Sequence, residues 1–245
     1  TARMSDQREI EIGELKEKLL IMASHAEAAV NRSVRALLRR DDDLALQTKA
    51  EDSVIDQWEM AIDEASVELL ARGLSRPEVR LVAAAMKIAH NLERVGDEAT
   101  TISRRCLALS LDPQLRQSDE VPRMAQLVLQ MLKASLDAFV NRDPAGARAI
   151  IPRDVEVDAL NKRHRSELAG YMAEHSAAVE RCLNLMVVFK SLERIADHAK
   201  NIAEEVVCLY EGKDIRHAAV LHPAAAGLPG SRPGDEGPDS GNTKL

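Results

Sequence analysis

Residues 91–102 read NLERVGDEATTI, and residues 191–202 read SLERIADHAKNI. The two stretches share Leu-Glu-Arg, Asp, Ala and Ile in the same order, 100 positions apart. Further upstream, residues 36–56 align with residues 138–158, which are 102 positions apart. Self-similarity at a nearly constant spacing is typical of a chain that contains a structural repeat. The sequence therefore predicts an internal duplication.

Long helices are the secondary structure that both repeats predict. Apolar residues recur there at steps of three and four, the pattern of a helix with one buried face. Aromatic residues make up only 2% of the chain, which disfavours a β-sandwich. We therefore predict an all-α fold of two pseudo-symmetric three-helix bundles, with six long helices in total. The first bundle is expected over residues 6–110 and the second over residues 118–217.

The C-terminal segment, residues 223–245, has a different composition. It holds four of the nine prolines and five of the eleven glycines of the chain. Segments rich in Pro and Gly, with few apolar residues, bury too little surface to fold. We predict that this tail is disordered.

Composition excludes several functional classes. The 33 basic and 40 acidic residues give a net charge of −7, which argues against a nucleic-acid partner. The three cysteines form no C-x-x-C motif, so neither a disulfide framework nor a thiolate zinc site is expected. Charged residues near the N-terminus are not expected in a signal peptide, and no apolar stretch approaches the roughly 20 residues of a membrane span. A cytoplasmic protein is the resulting prediction.

Acidic residues form four pairs with i, i+4 spacing, two in each repeat. The pairs are Asp52/Asp56, Glu93/Asp97, Asp154/Asp158 and Glu193/Asp197. The first two pairs are symmetrical about residues 74 and 75, and the last two about residues 175 and 176. In an antiparallel helix hairpin that turns at those positions, the two pairs lie level with each other. We therefore predict that four carboxylates converge in each repeat.

Clustered carboxylates favour hard divalent cations, and they accept iron or zinc where oxygen ligands are numerous. We predict divalent or transition metal ions, Fe, Zn, Mn or Mg, in these clusters. His198 offers a nitrogen ligand in the second repeat only, although a lone histidine is more often a bystander. In the alternative interpretation the acids are solvated, or form ion pairs with Arg94 and Arg194. Pro152 additionally predicts a kink or break just before Asp154, because proline removes a backbone donor.

Residues 92–97, LERVGD, and residues 192–204, LERIADHAKNIAE, resemble the PhoU family of phosphate-uptake regulators. The resemblance covers roughly residues 10–217. It implies two three-helix bundles with multinuclear metal clusters. The ligands carried over from the family's motif are Asp52, Asp56, Glu93 and Asp97 in one half, and Asp154, Asp158, Glu193 and Asp197 in the other.

The same resemblance implies a function. It implies a cytoplasmic adaptor rather than an enzyme, and family members often form dimers. The implied partners are the phosphate ABC transporter and the phosphate-sensing histidine kinase. The expected function is thus non-enzymatic regulation of phosphate uptake and phosphate-starvation signalling by a homodimer. Two alternatives stay open: a carboxylate-bridged metalloenzyme, and an accessory protein of a different phosphate or metal transporter. Against the metalloenzyme, the sequence has no Glu-x-x-His motif, no phosphate loop and no nucleophile motif.

Overall fold

The computed structural model describes residues 2–212 and residue 215, and in this part of the chain every regular element is helical. Eight α-helices follow one another along these described residues. They are α1 (Ala2–Arg39), α2 (Asp42–Ala50), α3 (Asp52–Ala71), α4 (Arg76–Leu109), α5 (Val121–Asn141), α6 (Pro144–Ile150), α7 (Asp154–Glu174) and α8 (Val179–Glu211). The predicted all-α class is confirmed. The predicted tail, residues 223–245, lies outside the described residues.

The six long helices of the prediction are α1, α3, α4, α5, α7 and α8. The short helices α2 and α6 are additional, because the chain breaks at Glu51 and again at Ile151–Arg153. The second break contains Pro152 in a 3₁₀ turn, as the sequence predicted. The first break has no proline, and the sequence did not predict it.

Local sequence signals explain where the helices begin. Asp41 caps α2, and its Oδ1 accepts a hydrogen bond from the backbone N of Leu44 at 2.9 Å. Asp143 caps α6 in the same way through the backbone N of Gly146, also at 2.9 Å. Each cap satisfies an N–H group that the first helical turn leaves without a backbone partner.

The hairpin turns lie where the acid pairs predicted them. Gly73 adopts a positive φ of 75° after α3, a conformation that glycine reaches without steric cost. A capping box of Ser75 and Glu78 then starts α4. In the second repeat, α7 ends before His175, and a 3₁₀ turn leads into α8. Both hairpins therefore bring two acid-bearing helices side by side.

The helices α4 and α8 form the centre of the fold. They pack against each other. In addition, α4 packs against α3 and α1, and α8 packs against α7 and α5. Fully buried leucine, isoleucine and valine side chains line these contacts, among them Leu92 and Leu192 at the matching position of each repeat. The described residues form one compact unit. None of the described helices is long and apolar enough to cross a bilayer.

Candidate metal centre

The second hairpin holds the four acids Asp154, Asp158, Glu193 and Asp197, here called the second cluster. Burial raises the pKa of Asp197, and Asp154 and Glu193 raise that pKa further. Burial also raises the pKa of Asp158, again with contributions from Asp154 and Glu193. Such mutual repulsion requires the carboxylates to lie close together. The structure thus brings α7 and α8 carboxylates into one electrostatic neighbourhood.

Asp154 is the most buried member of the second cluster. Its side chain is 7% exposed, and its Oδ2 lies 2.6 Å from Nζ of Lys200. Its Oδ1 is buried without a hydrogen-bond partner among the described residues. An ionised oxygen in that state needs a cation or a donor. This oxygen is the observation that best fits a metal ion in the second hairpin.

The first hairpin holds Asp52, Asp56, Glu93 and Asp97, here called the first cluster. Burial raises the pKa of Asp52, and the neighbouring Asp56 and Asp97 add to the shift. Burial and Asp97 raise the pKa of Glu93 to about 7, while Arg94 opposes the shift. Asp97 therefore links Asp52 on α3 with Glu93 on α4 in this hairpin.

The arginine pairs expected under the alternative interpretation form in one repeat only. Arg94 Nε lies 3.0 Å from Glu93 Oε2, and its Nη1 lies 2.9 Å from Asp97 Oδ2. Arg194, at the matching position, instead pairs with Glu98 at 3.0 Å. Arg94 is about half exposed, so its ion pairs are largely solvated. A metal ion could displace such solvated ion pairs more easily than buried ones, so they argue only weakly against metal binding.

A group of three possible ligands was missed by the sequence analysis. One ligand atom from each of Glu59, His90 and Glu93 lies within 4.8 Å of the others, and His90 Nδ1 lies 3.2 Å from Glu59 Oε1. A signal for this group was present, because Glu59 and His90 are also symmetrical about residues 74 and 75. It extends the first cluster by one helical turn and adds an imidazole.

His198 does not extend the second cluster in this way. Its Nδ1 lies 3.0 Å from Oδ1 of Asn91 on α4, and burial lowers its pKa. His198 also lines an open groove of about 690 Å³ between α4 and α8. Asp97 and Asp197, one from each cluster, line the same groove. The two clusters therefore border a common polar space.

A family model described as the PhoU domain matches the chain twice, at residues 19–106 and at residues 121–206. The chain belongs to the PhoU family. The two PhoU matches fall inside the two repeats predicted from the sequence, and the resemblance noted there is confirmed.

PhoU relatives match most of the chain. A protein from Pseudomonas aeruginosa is 38% identical over 219 residues, which cover 89% of this chain and 90% of that protein. A protein from Clostridium acetobutylicum is 32% identical and is covered to 95% of its length, against 84% of this chain. Both are named phosphate-specific transport system accessory protein PhoU homologs.

Solved PhoU structures share the fold. The crystal structure of PhoU from Pseudomonas aeruginosa has a TM-score of 0.82 at 37% identity, with 84% of this chain and 99% of that one covered. The phosphate transport system regulatory protein PhoU from Streptococcus pneumoniae has a TM-score of 0.79 at 26% identity, with 85% and 99% covered. The helical architecture is thus that of PhoU proteins.

Proposed function

We propose that this chain is an accessory protein of a phosphate-specific transport system that regulates phosphate uptake without catalysing a reaction. The observation that carries the proposal is the match to PhoU relatives along nearly the whole chain, at up to 38% identity. Their printed names assign them an accessory role in phosphate-specific transport. The fold adds a rigid helical scaffold, which is what an adaptor needs to present a docking surface.

In this proposal the chain is a cytoplasmic adaptor with two partners, the phosphate ABC transporter and the phosphate-sensing histidine kinase. It keeps the phosphate-starvation response off when phosphate is plentiful. A homodimer is part of the same proposal. These partners follow from the family resemblance, and each can be tested separately by co-purification.

We also propose that both carboxylate clusters bind divalent or transition metal ions. In the first cluster Asp52, Asp56, Glu93 and Asp97 are the ligands, with Glu59 and His90 in reach of Glu93. In the second cluster the unpartnered Oδ1 of Asp154 supports a cation beside the neighbouring acids. Bound metal would neutralise the repulsion that raises the carboxylate pKa values.

The regulatory proposal is tested in a bacterial strain that lacks its own copy of the gene and carries a reporter of the phosphate-starvation response. We expect the reporter to be active at high phosphate without the chain and silent when the chain is restored. A reporter that ignores the chain would contradict the regulatory role.

Partner capture provides a second test. The tagged chain is cross-linked in cells at high phosphate and purified with its neighbours. We expect transporter subunits and the histidine kinase, and mass measurement of the purified chain should give a dimer. Recovery of a different phosphate or metal transporter would favour the alternative accessory role, and turnover of a phosphate ester would favour the metalloenzyme.

A further inference from the structure

The two clusters share their four acids but differ in the cations that the chain itself supplies. In α8 and α4, matching positions are 100 residues apart. Lys200 holds the buried Asp154 through an ammonium contact of 2.6 Å. The position that matches Lys200 in the first repeat is Thr100, which carries no charge. The first cluster therefore has no equivalent of this ion pair.

Lys190 supplies a second ammonium group to the second cluster. Its Nζ contacts Oε2 of Glu193, but the Lys190 side chain is half exposed, as that of Arg94 is in the first cluster. The matching position in the first repeat is His90, one turn before Glu93. A positive charge in one repeat is thus replaced by an imidazole in the other, which can act as a neutral metal ligand.

The neighbouring position on the other helix of each hairpin shows the same difference. Glu59 on α3 contacts His90, and the residue that matches Glu59 on α7 is Asn161. The first repeat thus offers two carboxylates and an imidazole at this level. The second repeat offers one carboxylate, an amide and an ammonium group. Only the first combination makes three ligands for a cation.

The arginines of the first cluster do not take the place of Lys200. Arg94 reaches Glu93 and Asp97 from the rim and is about half exposed, so it can turn into solvent when a cation enters. Arg104 attracts Asp52 without forming an ion pair in the described part of the chain. The buried end of the first cluster is therefore open to an external cation.

This inference rests on the metal binding proposed above. We propose that Lys200 acts as a built-in cation of the second cluster, so that the first cluster is the half of the chain that takes up metal first. A divalent ion that enters the second cluster must displace the ammonium group of Lys200 or lie beside it, and like charges repel. In the first cluster the contacting cation is the half-exposed Arg94, which presents a smaller barrier.

Calorimetric titration of the full, chelator-treated chain with Mn²⁺ tests this asymmetry. We expect two classes of sites, one tighter and one weaker. Lys200→Thr, which copies the first repeat, should strengthen the weaker class about tenfold or more, because it removes a competing charge. His90→Lys, which copies the second repeat at an exposed position, should weaken the tighter class by about the same factor.

Matched controls assign the two classes. Lys133→Thr removes a lysine from an exposed ion pair with Asp137 on α5 and should leave both classes unchanged. The pair Glu93→Gln with Asp97→Asn should abolish the tighter class. The pair Glu193→Gln with Asp197→Asn should abolish the weaker class.

A thermal melt gives a readout that does not depend on the titration. Lys200→Thr leaves Asp154 buried without its ammonium partner, so in chelator this variant should melt below the wild type, and Mn²⁺ should restore it. A single class of sites in the wild type, or a weaker class unaffected by Lys200→Thr, would overturn the asymmetry while leaving metal binding intact. A wild type that binds no Mn²⁺ would overturn both proposals.

Discussion

Gly96 on α4 lies so close to Ile55 on α3 that a Cβ atom placed on Gly96 would be 2.8 Å from Ile55 Cδ1. Gly96 stands between the acids Glu93 and Asp97, and it lets the two helices of the first hairpin approach closely. The second repeat has Ala196 and Val157 at the matching positions. In the second repeat, the larger Ala196 in place of glycine is thus accompanied by the smaller Val157 in place of isoleucine.

Gly96→Ala should destabilise the chain, because the added methyl group meets the buried end of Ile55. Overpacking of a core costs about 1–3 kcal/mol, while alanine in place of a helical glycine returns up to about 1 kcal/mol. We expect a net loss of about 1 kcal/mol in the free energy of unfolding, measured by urea denaturation.

The double variant Gly96→Ala with Ile55→Val reproduces the packing of the second repeat. It should recover the loss and show a clear coupling energy in the double-mutant cycle. Independent, additive effects of the two substitutions would contradict the close contact between these residues.

Asp41 and Asp143 should contribute equally to stability, because each caps the short helix of its repeat with one side-chain hydrogen bond. Replacing either residue with alanine is expected to cost about 1 kcal/mol, and asparagine should preserve most of the stability. Urea denaturation of the four single variants measures this. Equal losses for alanine and asparagine would show that the caps do not act through the side-chain acceptor.

Glu93 should make the metal-free chain less stable as the pH rises. Its pKa is raised from 4.5 to about 7 in the folded chain, so folding favours the protonated form. The contribution of Glu93 is fully present below pH 4.5 and is lost as the pH rises to about 7. In chelator at pH 8, the free energy of unfolding of Glu93→Gln should therefore exceed that of the wild type by about 2 kcal/mol, as measured by urea denaturation.

The control for this pH effect is Glu64→Gln, an exposed position on the same hairpin, which should behave as the wild type does. Near pH 4.5 the advantage of Glu93→Gln should vanish. A variant that is less stable than the wild type at pH 8 would show that the Arg94 contact outweighs the burial of the carboxylate.

The sequence predicted the fold and the position of the acids because both depend on regular geometry. Helical periodicity assigns the buried face of α4 and α8. The symmetry of the pairs about residues 74 and 75, and about residues 175 and 176, places carboxylates from two helices at one level. Pro152 marked the break before α7 through its missing N–H group.

Other features depend on tertiary packing, which the local sequence does not reveal. The break at Glu51 has neither proline nor glycine, and it occurs where α2 turns to pack on α1 and α4. The contact between Lys200 and Asp154 depends on side-chain directions across two helices. His90 follows the same symmetry as the acids, but it lies just outside the repeated motif that contains His198.

The most direct measurement of the central claim is the metal content of the purified full-length chain, determined by elemental analysis. It is compared with a variant in which all eight acids of the two clusters are changed to asparagine or glutamine, after circular dichroism has shown that both are helical. We predict at least one equivalent of Fe, Zn, Mn or Mg in the wild type and its loss in the variant. Equal metal content in the two proteins, or a wild type free of metal, would contradict the account.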